Sequence, residues 1–370
     1  MKRKYIGFLL NIFIAILLTA CSHENKPNQP VKLPEYAFID NIFLIGDNIY
    51  ATRSAGNSEG GYSYLSTELS DKQVSYPLAS LRNGEENDAL WHDSTKRLYY
   101  SEAHRVYSCD STGNEKEILW ELPEGSKNDA VEIIASAKEY LILKTAHGDR
   151  KPASQSLFGN FVYREYDYYS VNIVTGEALL LLSDIPYTRL PHPLCVHENT
   201  MIFLQLTGKE GYASPQENEM GTPEEACVMK IDLLTGKKTE LGFMNTSGTI
   251  SHAEGAVLED RLYFIFEYGG FYSLPLSGGD MEAIYPDKSN VPEMDRYERI
   301  KAYNGKIFLL MWAGNTYPKA ALCEWNRETG VLLPIVTTDS TFSATGFLIH
   351  SDSYYLYDEV KVVSGELKSK

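Results

Sequence analysis

The chain has 370 residues, with 34 Lys and Arg against 50 Asp and Glu and a formal net charge of −16. So acidic a surface repels phosphate backbones and anionic headgroups, which excludes nucleic acid as a partner and any membrane contact held by charge. Hydrophobic residues make up 43% and aromatic residues 12%, with 26 tyrosines, a composition suited to a large core of half-buried strands.

At the N-terminus, Lys2, Arg3 and Lys4 precede "YIGFLLNIFIAILL", an apolar stretch that ends at Leu18. It is short for a bilayer span and leads into small residues, so residues 1–20 read as a signal peptide. Leu18-Thr19-Ala20-Cys21 resembles the bacterial lipobox. That resemblance implies cleavage after Ala20, lipidation of Cys21 and acylation, as by palmitate, of the new N-terminus. Acyl chains worth about 0.8 kcal/mol per buried CH2 make a firm anchor. Ser22 rather than Asp follows the cysteine, which in a two-membrane envelope favours the outer membrane; in a one-membrane cell the protein sits on the outer face of the cell membrane. Residues 21–34, with "SHENKPNQPVKLP", read as a lipidated cysteine and flexible tether, and residues 35–370 as the extracytoplasmic folded domain. The mature chain keeps 31 Lys and Arg against 50 Asp and Glu, a net charge of −19.

The remaining sequence repeats itself. A polar turn followed by an apolar and aromatic strand recurs as "DNIYATRS", "KRLYYSEA", "KEYLILKT", "NTMIFLQL", "DRLYFIFE", "GKIFLLMW" and "DSYYLYDE". The aligned residues Ile49, Leu98, Tyr140, Met201, Leu262, Ile307 and Tyr354 lie 49, 42, 61, 61, 45 and 47 residues apart. A short apolar strand precedes each copy, and a strand ending in a polar, glycine-containing turn follows the middle ones. In those turns Asp110, Asn172, Asp232 and Asn326 can fold their side chains onto backbone amides, and Gly113, Gly176, Gly236 and Gly330 can take a positive φ. Helical periodicity is almost absent. Four-stranded units at this period predict an all-β fold, a β-propeller of seven four-stranded blades, or six or eight where insertions blur the count. The last unit offers three strands, so "KLPEYAF" is expected to supply its missing outer strand and close the ring.

"RLYYSEAHRVYSCDSTGNEKEIL" resembles the blades of YWTD-type and TolB-like envelope propellers, with Tyr99-Tyr100-Ser101-Glu102 where the tetrad would stand. The resemblance is one of blade style over residues 36–365 and implies a binding or scaffold role.

Motifs for chemistry are few. "GNSEG", residues 56–60, matches G-x-S-x-G, but strands flank it on both sides where a nucleophile elbow needs a helix after the serine. "DKSNVPEMD", residues 287–295, lacks the glycine and terminal Glu of a calcium loop and reads as a solvated loop. No zinc spacing occurs, and no metal or other cofactor is expected. Cys109, Cys195, Cys227 and Cys323 read as buried thiols, with Cys195 and Cys227 the one pair worth testing as a disulfide.

The insertions "AHGDRKPASQSLFGNFVYREYD" and "TGKEGYASPQENEMGTPEEA" are both B–C loops of adjacent blades, and B–C and D–A connections share one face of a propeller. Tyr187, Arg189, His192, His252, Glu254, Arg296, Trp312 and Tyr317 gather on that face as a candidate recognition surface for a protein, peptide or glycan. The expected protein is a monomeric, envelope-anchored binding or scaffold module. The alternative is a propeller enzyme, of lyase, glycosidase or quinone-dependent dehydrogenase type, with its site at the axial mouth and His192, His252, Arg189 and Glu254 in it.

Overall fold

The structure is a computed structural model, and it describes residues 28–34, 36–57, 60–68, 74–81, 89–124, 128–152, 162–186, 191–207, 225–245, 253–266, 270–313, 319–339 and 341–367. Blade 1 comprises β1 (Phe38–Ile45), β2 (Asn48–Asn57), β3 (Gly60–Glu68) and β4 (Ser75–Leu81). Blade 2 comprises β5 (Leu90–His92), β6 (Arg97–Glu102), β7 (Arg105–Cys109) and β8 (Glu117–Glu121). Blade 3 comprises β9 (Asn128–Ser136), β10 (Tyr140–Pro152), β11 (Val162–Asn172) and β12 (Ala178–Pro186). Blade 4 comprises β13 (His192–His197), β14 (Thr200–Thr207), β15 (Glu225–Asp232) and β16 (Lys238–Asn245). Blade 5 comprises β17 (Ala253–Leu258), β18 (Arg261–Phe266), β19 (Gly270–Pro275) and β20 (Glu282–Ile284). Blade 6 comprises β21 (Arg296–Tyr303), β22 (Lys306–Ala313), β23 (Lys319–Trp325) and β24 (Leu332–Thr337). Blade 7 comprises β25 (Gly346–His350), β26 (Ser353–Tyr357) and β27 (Val362–Glu366).

Every sheet is an antiparallel meander in chain order, and together they make a seven-bladed β-propeller. Among the described residues no helix is long and apolar enough to cross a membrane. Burial runs radially. The B strands are covered by a neighbouring blade on each side, so β22 is buried without a break from Ile307 to Met311. A period-2 alternation is lost where both sheet faces are covered. The outer strands are covered least; Ile118 of β8 is half exposed.

Seven apolar clusters occupy the seven junctions between blades. The junction of blades 5 and 6 packs Tyr263, Phe271, Tyr297, Leu309 and Trp325, with Phe271 and Trp325 edge-to-face at 5.0 Å. That of blades 7 and 1 packs Ile39, Ile42, Ile49 and Ala51 against Leu348, Tyr355, Tyr357 and Val362. A blade has two apolar faces and cannot cover either alone; a closed ring lets each blade cover the next.

The ring therefore closes, but not through the strand expected from the N-terminus. The sheet of blade 7 has three strands, and the N-terminal segment goes elsewhere. Val31 bridges Ser75 on β4, the outer strand of blade 1, and the Asn28 amide donates to Pro77 O at 2.8 Å and Thr112 O at 3.2 Å. Residues 28–31, the end of the expected tether, thus lie along the rim of blades 1 and 2. The physical reason is that "KLPEYAF" runs directly into β1, whose first residue is Phe38, while Val31 just ahead of it takes a bridge on the open edge of β4. Blade 7 is held to blade 1 by packing and by Arg53 instead. The Arg53 guanidinium meets Glu68 at 3.0 Å and 3.1 Å and donates to Ala37 O at 3.0 Å and to Val360 O at 3.3 Å. Ile39 N–H adds a bond to Glu359 O at 2.7 Å.

The turns on the A–B and C–D face follow the sequence reading. Asn172 accepts from Val174 and Thr175 N–H at 2.8 and 2.9 Å, and Asn326 accepts from Glu328 and Thr329 N–H in the same way. Asp232 accepts from Leu234 and Thr235, and Asp110 from Thr112 and Asn114. Gly113, Gly176, Gly236 and Gly330 all have φ between 69° and 72°, the left-handed value that closes such a loop.

All four thiols are free, so Cys195 and Cys227 form no disulfide. Cys195 pairs with Ile202 on one side of β14 and Cys227 with Gln205 on the other, which puts a strand between them. Burial pushes the Cys109, Cys195 and Cys323 thiols up to about 12, so they stay protonated and unreactive. "GNSEG" is the tip of the β2–β3 hairpin, where Asn57 pairs with Gly60, and no helix follows it.

Candidate functional site

Cys21, Tyr187, Arg189, His252 and Tyr317 lie outside the described residues. His192, Glu254, Arg296 and Trp312 stand on blades 4, 5, 6 and 6. Arg296 and Trp312 are direct cross-strand partners on β21 and β22, with the guanidinium 5.2 Å from the indole centroid. Trp312 Nε1–H donates to Ala344 O at 2.7 Å, so this pair clamps blade 6 to the entry of blade 7. Glu254 accepts the Ile300 N–H at 2.8 Å, and Lys301 donates to Phe347 O at 2.7 Å. The two side chains tie the A strands of blades 5, 6 and 7 around the axis. Burial raises the Glu254 carboxyl above its ordinary value, against Arg299 and Lys301, and burial lowers the Lys301 ammonium against Glu254. Burial also lowers the His192 imidazole.

Two features on the B–C and D–A face were not foreseen as sites. The first is a cleft of about 340 Å3 at blade 5, with Phe271, Tyr272, Tyr285, Lys288, Asp295 and Tyr297 in its lining. Its cause is a short outer strand. β20 stops at Ile284, opposite Phe271, and the chain swings away through Pro286 to bridge Val331 on blade 6 at Asp287. At the upper end of β19 Gly270 is left without an outer partner, and the crossing segment walls the cleft. Tyr285 is 89% exposed, whereas Tyr297 forms the floor. The Lys288 ammonium lies 4.7 Å from the Tyr297 ring centroid and donates to Met294 O at 3.3 Å. Burial lowers the Lys288 ammonium while Asp295 opposes the shift, and burial pushes the Tyr297 phenol up to about 12. A flat apolar wall, rotatable hydroxyls and one cation suit a sugar ring or an extended peptide. "DKSNVPEMD" is therefore the wall of this cleft; Asp287 Oδ1 accepts the Ser289 N–H at 2.8 Å.

The second feature lies in blade 3. The expected B–C loop there starts as strand: β10 and β11 pair out to Pro152 and Val162. At the base of that hairpin, His147, Asp167 and Asp184 from β10, β11 and β12 place one ligand atom each within 4.8 Å of one another. His147 Nε2 is 3.3 Å from Asp167 Oδ1 and 3.7 Å from Asp184 Oδ1, and Nδ1 is 3.6 Å from Glu165 Oε2. A bulge makes this possible. Tyr166 pairs with Ile185 and Tyr168 with Leu182, so Ser183 and Asp184 oppose Asp167 alone. Asp184 takes φ 54°, and its N–H donates to Asp167 Oδ1 at 2.9 Å. A bulge re-aims side chains in this way.

Neither a family model nor a curated sequence matches the chain. Solved propellers do match in shape. The acylaminoacyl peptidase of Pyrococcus horikoshii aligns with a TM-score of 0.56 over 90% of this chain and 53% of that one, at 12% identity. A puromycin-hydrolyzing peptidase of Mycobacterium tuberculosis gives 0.57 over 90% and 52%, at 10% identity. The β-propeller domain of the Trilobed protease from Pyrococcus furiosus, which has an open velcro topology, gives 0.53 over 91% and 97%, at 9% identity. The chain spans about half the length of the two peptidases. At these identities the likeness shows a shared fold, the β-propeller, and nothing of activity.

Proposed function

We propose that this protein is a lipid-anchored, extracytoplasmic binding module that takes a peptide, protein or glycan partner on its B–C and D–A face. The observation that carries the reading is the tyrosine-walled cleft at blade 5. It opens on the face the insertions share, with Tyr272, Tyr285, Tyr297 and Lys288 in its lining and the Lys288 ammonium 4.7 Å from the Tyr297 ring. An exposed aromatic side chain such as Tyr285, in a cleft that also holds a cation, is a usual anchor of a recognition surface. The path of residues 28–31 supports the anchored reading, because the chain leaves the propeller at the rim of blades 1 and 2, away from the cleft. Asn28 lies seven positions after Cys21, a reach of at most about 25 Å from the lipid.

The enzymatic alternative needs polar groups converging at the axial mouth. Glu254 and Lys301 stand on the axial A strands, but their charged ends are bonded to the backbone of the next blade. That observation counts against Glu254 as the catalytic acid of such a site.

Two measurements test the proposal. Metabolic labelling with palmitate is expected to mark the wild-type chain and not Cys21→Ala; an unlabelled wild type would remove the anchor. Affinity capture from detergent-solubilised membranes, followed by glycan and peptide arrays, is expected to yield a partner that Tyr272→Ala/Tyr285→Ala loses. Equal retention by the double variant would remove the cleft from the interface.

A further inference from the structure

We infer that blade 3 carries a divalent transition-metal site, with His147, Asp167 and Asp184 as its protein ligands and Zn2+ as the cation that fits best. The donor set is one imidazole nitrogen and two carboxylate oxygens. That mixture suits zinc and its neighbours better than calcium or magnesium, which favour all-oxygen shells.

The spacing fits as well. Two ligands at zinc bond lengths of about 2.0–2.1 Å in a tetrahedron lie roughly 3.3 Å apart. His147 Nε2 stands 3.3 Å from Asp167 Oδ1 and 3.7 Å from Asp184 Oδ1. These separations leave room for an ion between the atoms with little movement of the side chains. The imidazole is also oriented for the task. Its Nε2 faces the two aspartates, and the Glu165 carboxylate lies 3.6 Å from its Nδ1, within a small movement of the hydrogen bond that orients a ligating histidine. His147 is 1% exposed and Asp167 nearly as covered, whereas the Asp184 side chain is 56% exposed. Two ligands are thus held rigidly by the sheet, and the third closes the site from the solvent side. A fourth position remains for water or for a donor from a bound partner, as in zinc sites with three protein ligands.

The charges agree. With a neutral imidazole, three carboxylates gather within one side-chain reach of a buried ring, and a dication lowers that local charge from −3 to −1. The site would also clamp β10, β11 and β12 together at the base of the long hairpin, on the face proposed for binding. The inference does not depend on that proposal.

The test uses the full chain in detergent, stripped with a chelator and titrated with Zn2+ by calorimetry. One equivalent is expected to bind, and the thermal midpoint is expected to rise with free Zn2+, since an ion that binds only the folded chain stabilises it. Asp184→Asn, at an exposed position, is expected to fold normally and to weaken binding by about tenfold or more. His147→Ala is expected to abolish it. Wild type that takes up no more Zn2+ than Asp184→Asn overturns the assignment and leaves His147 and Asp167 as a hydrogen-bonded pair. Displacement of Zn2+ by equimolar Ca2+ overturns the choice of metal. If His147→Ala does not fold, Asp184→Asn alone decides.

Discussion

The two faces of this propeller are built on different terms. On the A–B and C–D face the chain reverses within a few residues, and the C–D turns of blades 2, 3, 4 and 6 are each fixed by an Asp or Asn side chain bonded to its own loop and by a glycine with positive φ. Lys96, Glu198, Glu259, Asn304 and Ser351 adopt that conformation in the A–B turns, as do Gly113, Gly176, Gly236 and Gly330 in the C–D turns. On the B–C and D–A face the connections differ in length from blade to blade, and the strands themselves end unevenly. β10 overshoots into a hairpin and β20 stops after three residues. The cleft and the His147 cluster both arise from those irregular ends. One face is therefore determined by local stereochemistry and serves stability. The other is released from it and carries the groups of the proposed recognition surface.

Substitutions can break this division or sharpen it. The largest loss of stability is expected off both faces, at the seam of blades 7 and 1. Arg53→Ala leaves Glu68 buried without its bidentate partner, and removing one member of a buried pair costs about 3–5 kcal/mol. Urea unfolding measures this, and a loss below about 1 kcal/mol would mean that the apolar seam alone holds the ring closed. Next comes the turn face. Gly176 has φ 71°, and a Cβ there would stand 2.8 Å from Leu119 O. Gly176→Val combines a left-handed conformation, at about 1–2 kcal/mol for a residue with a Cβ, with that backbone clash, so the expected loss exceeds 2 kcal/mol. Partner capture should be unchanged once the protein is folded. Tyr285→Ala is the reverse case. The side chain is exposed, so stability should move by no more than about 0.5 kcal/mol while capture is lost. A Tyr285 variant that unfolds the chain, or a Gly176 variant that loses only its partner, would break the division between the faces.

The same division explains what could be read from the sequence. The seven units, the strand order within each and the Asp, Asn and Gly turns were legible because each depends on residues adjacent in the chain. Glu254, Arg296 and Trp312 read in the sequence as members of a recognition surface on the B–C and D–A face, and not as inter-blade ties, because the partners Ile300 and Ala344 belong to other blades or linkers. "KLPEYAF" does not close blade 7 because it leads straight into β1 at Phe38, and where β1 begins is set by its register with β2 rather than by the local residues. The cleft depends on where β20 stops, for which Pro286 was the one local sign. The blade 3 cluster depends on register across three strands and on a bulge. Its signal was Asp167 itself, an acid among the aromatic residues of "YREYDYYS", where strands disfavour one.

The smallest effect concerns how the turn face responds to acid. Blades 3 and 6 close their C–D turns with Asn172 and Asn326, which do not titrate, and blade 4 uses Asp232 in the same geometry. The Thr235 hydroxyl bonded to the Asp232 carboxylate holds it below the usual carboxylate range; slight burial opposes this, and the Thr235 and Leu234 N–H groups assist it. A folded value below the unfolded value of about 3.9 stabilises the protein above that pH, and the contribution fades as pH falls through the folded value. Asp232→Asn keeps the acceptor and removes the charge. Wild type should therefore be slightly the more stable at pH 7, and the gap in thermal midpoint should close between pH 4 and pH 2, to about zero once the carboxyl is protonated. A gap that stays constant over that range would mean that the charge of Asp232 contributes nothing and that the shape of the turn alone holds it.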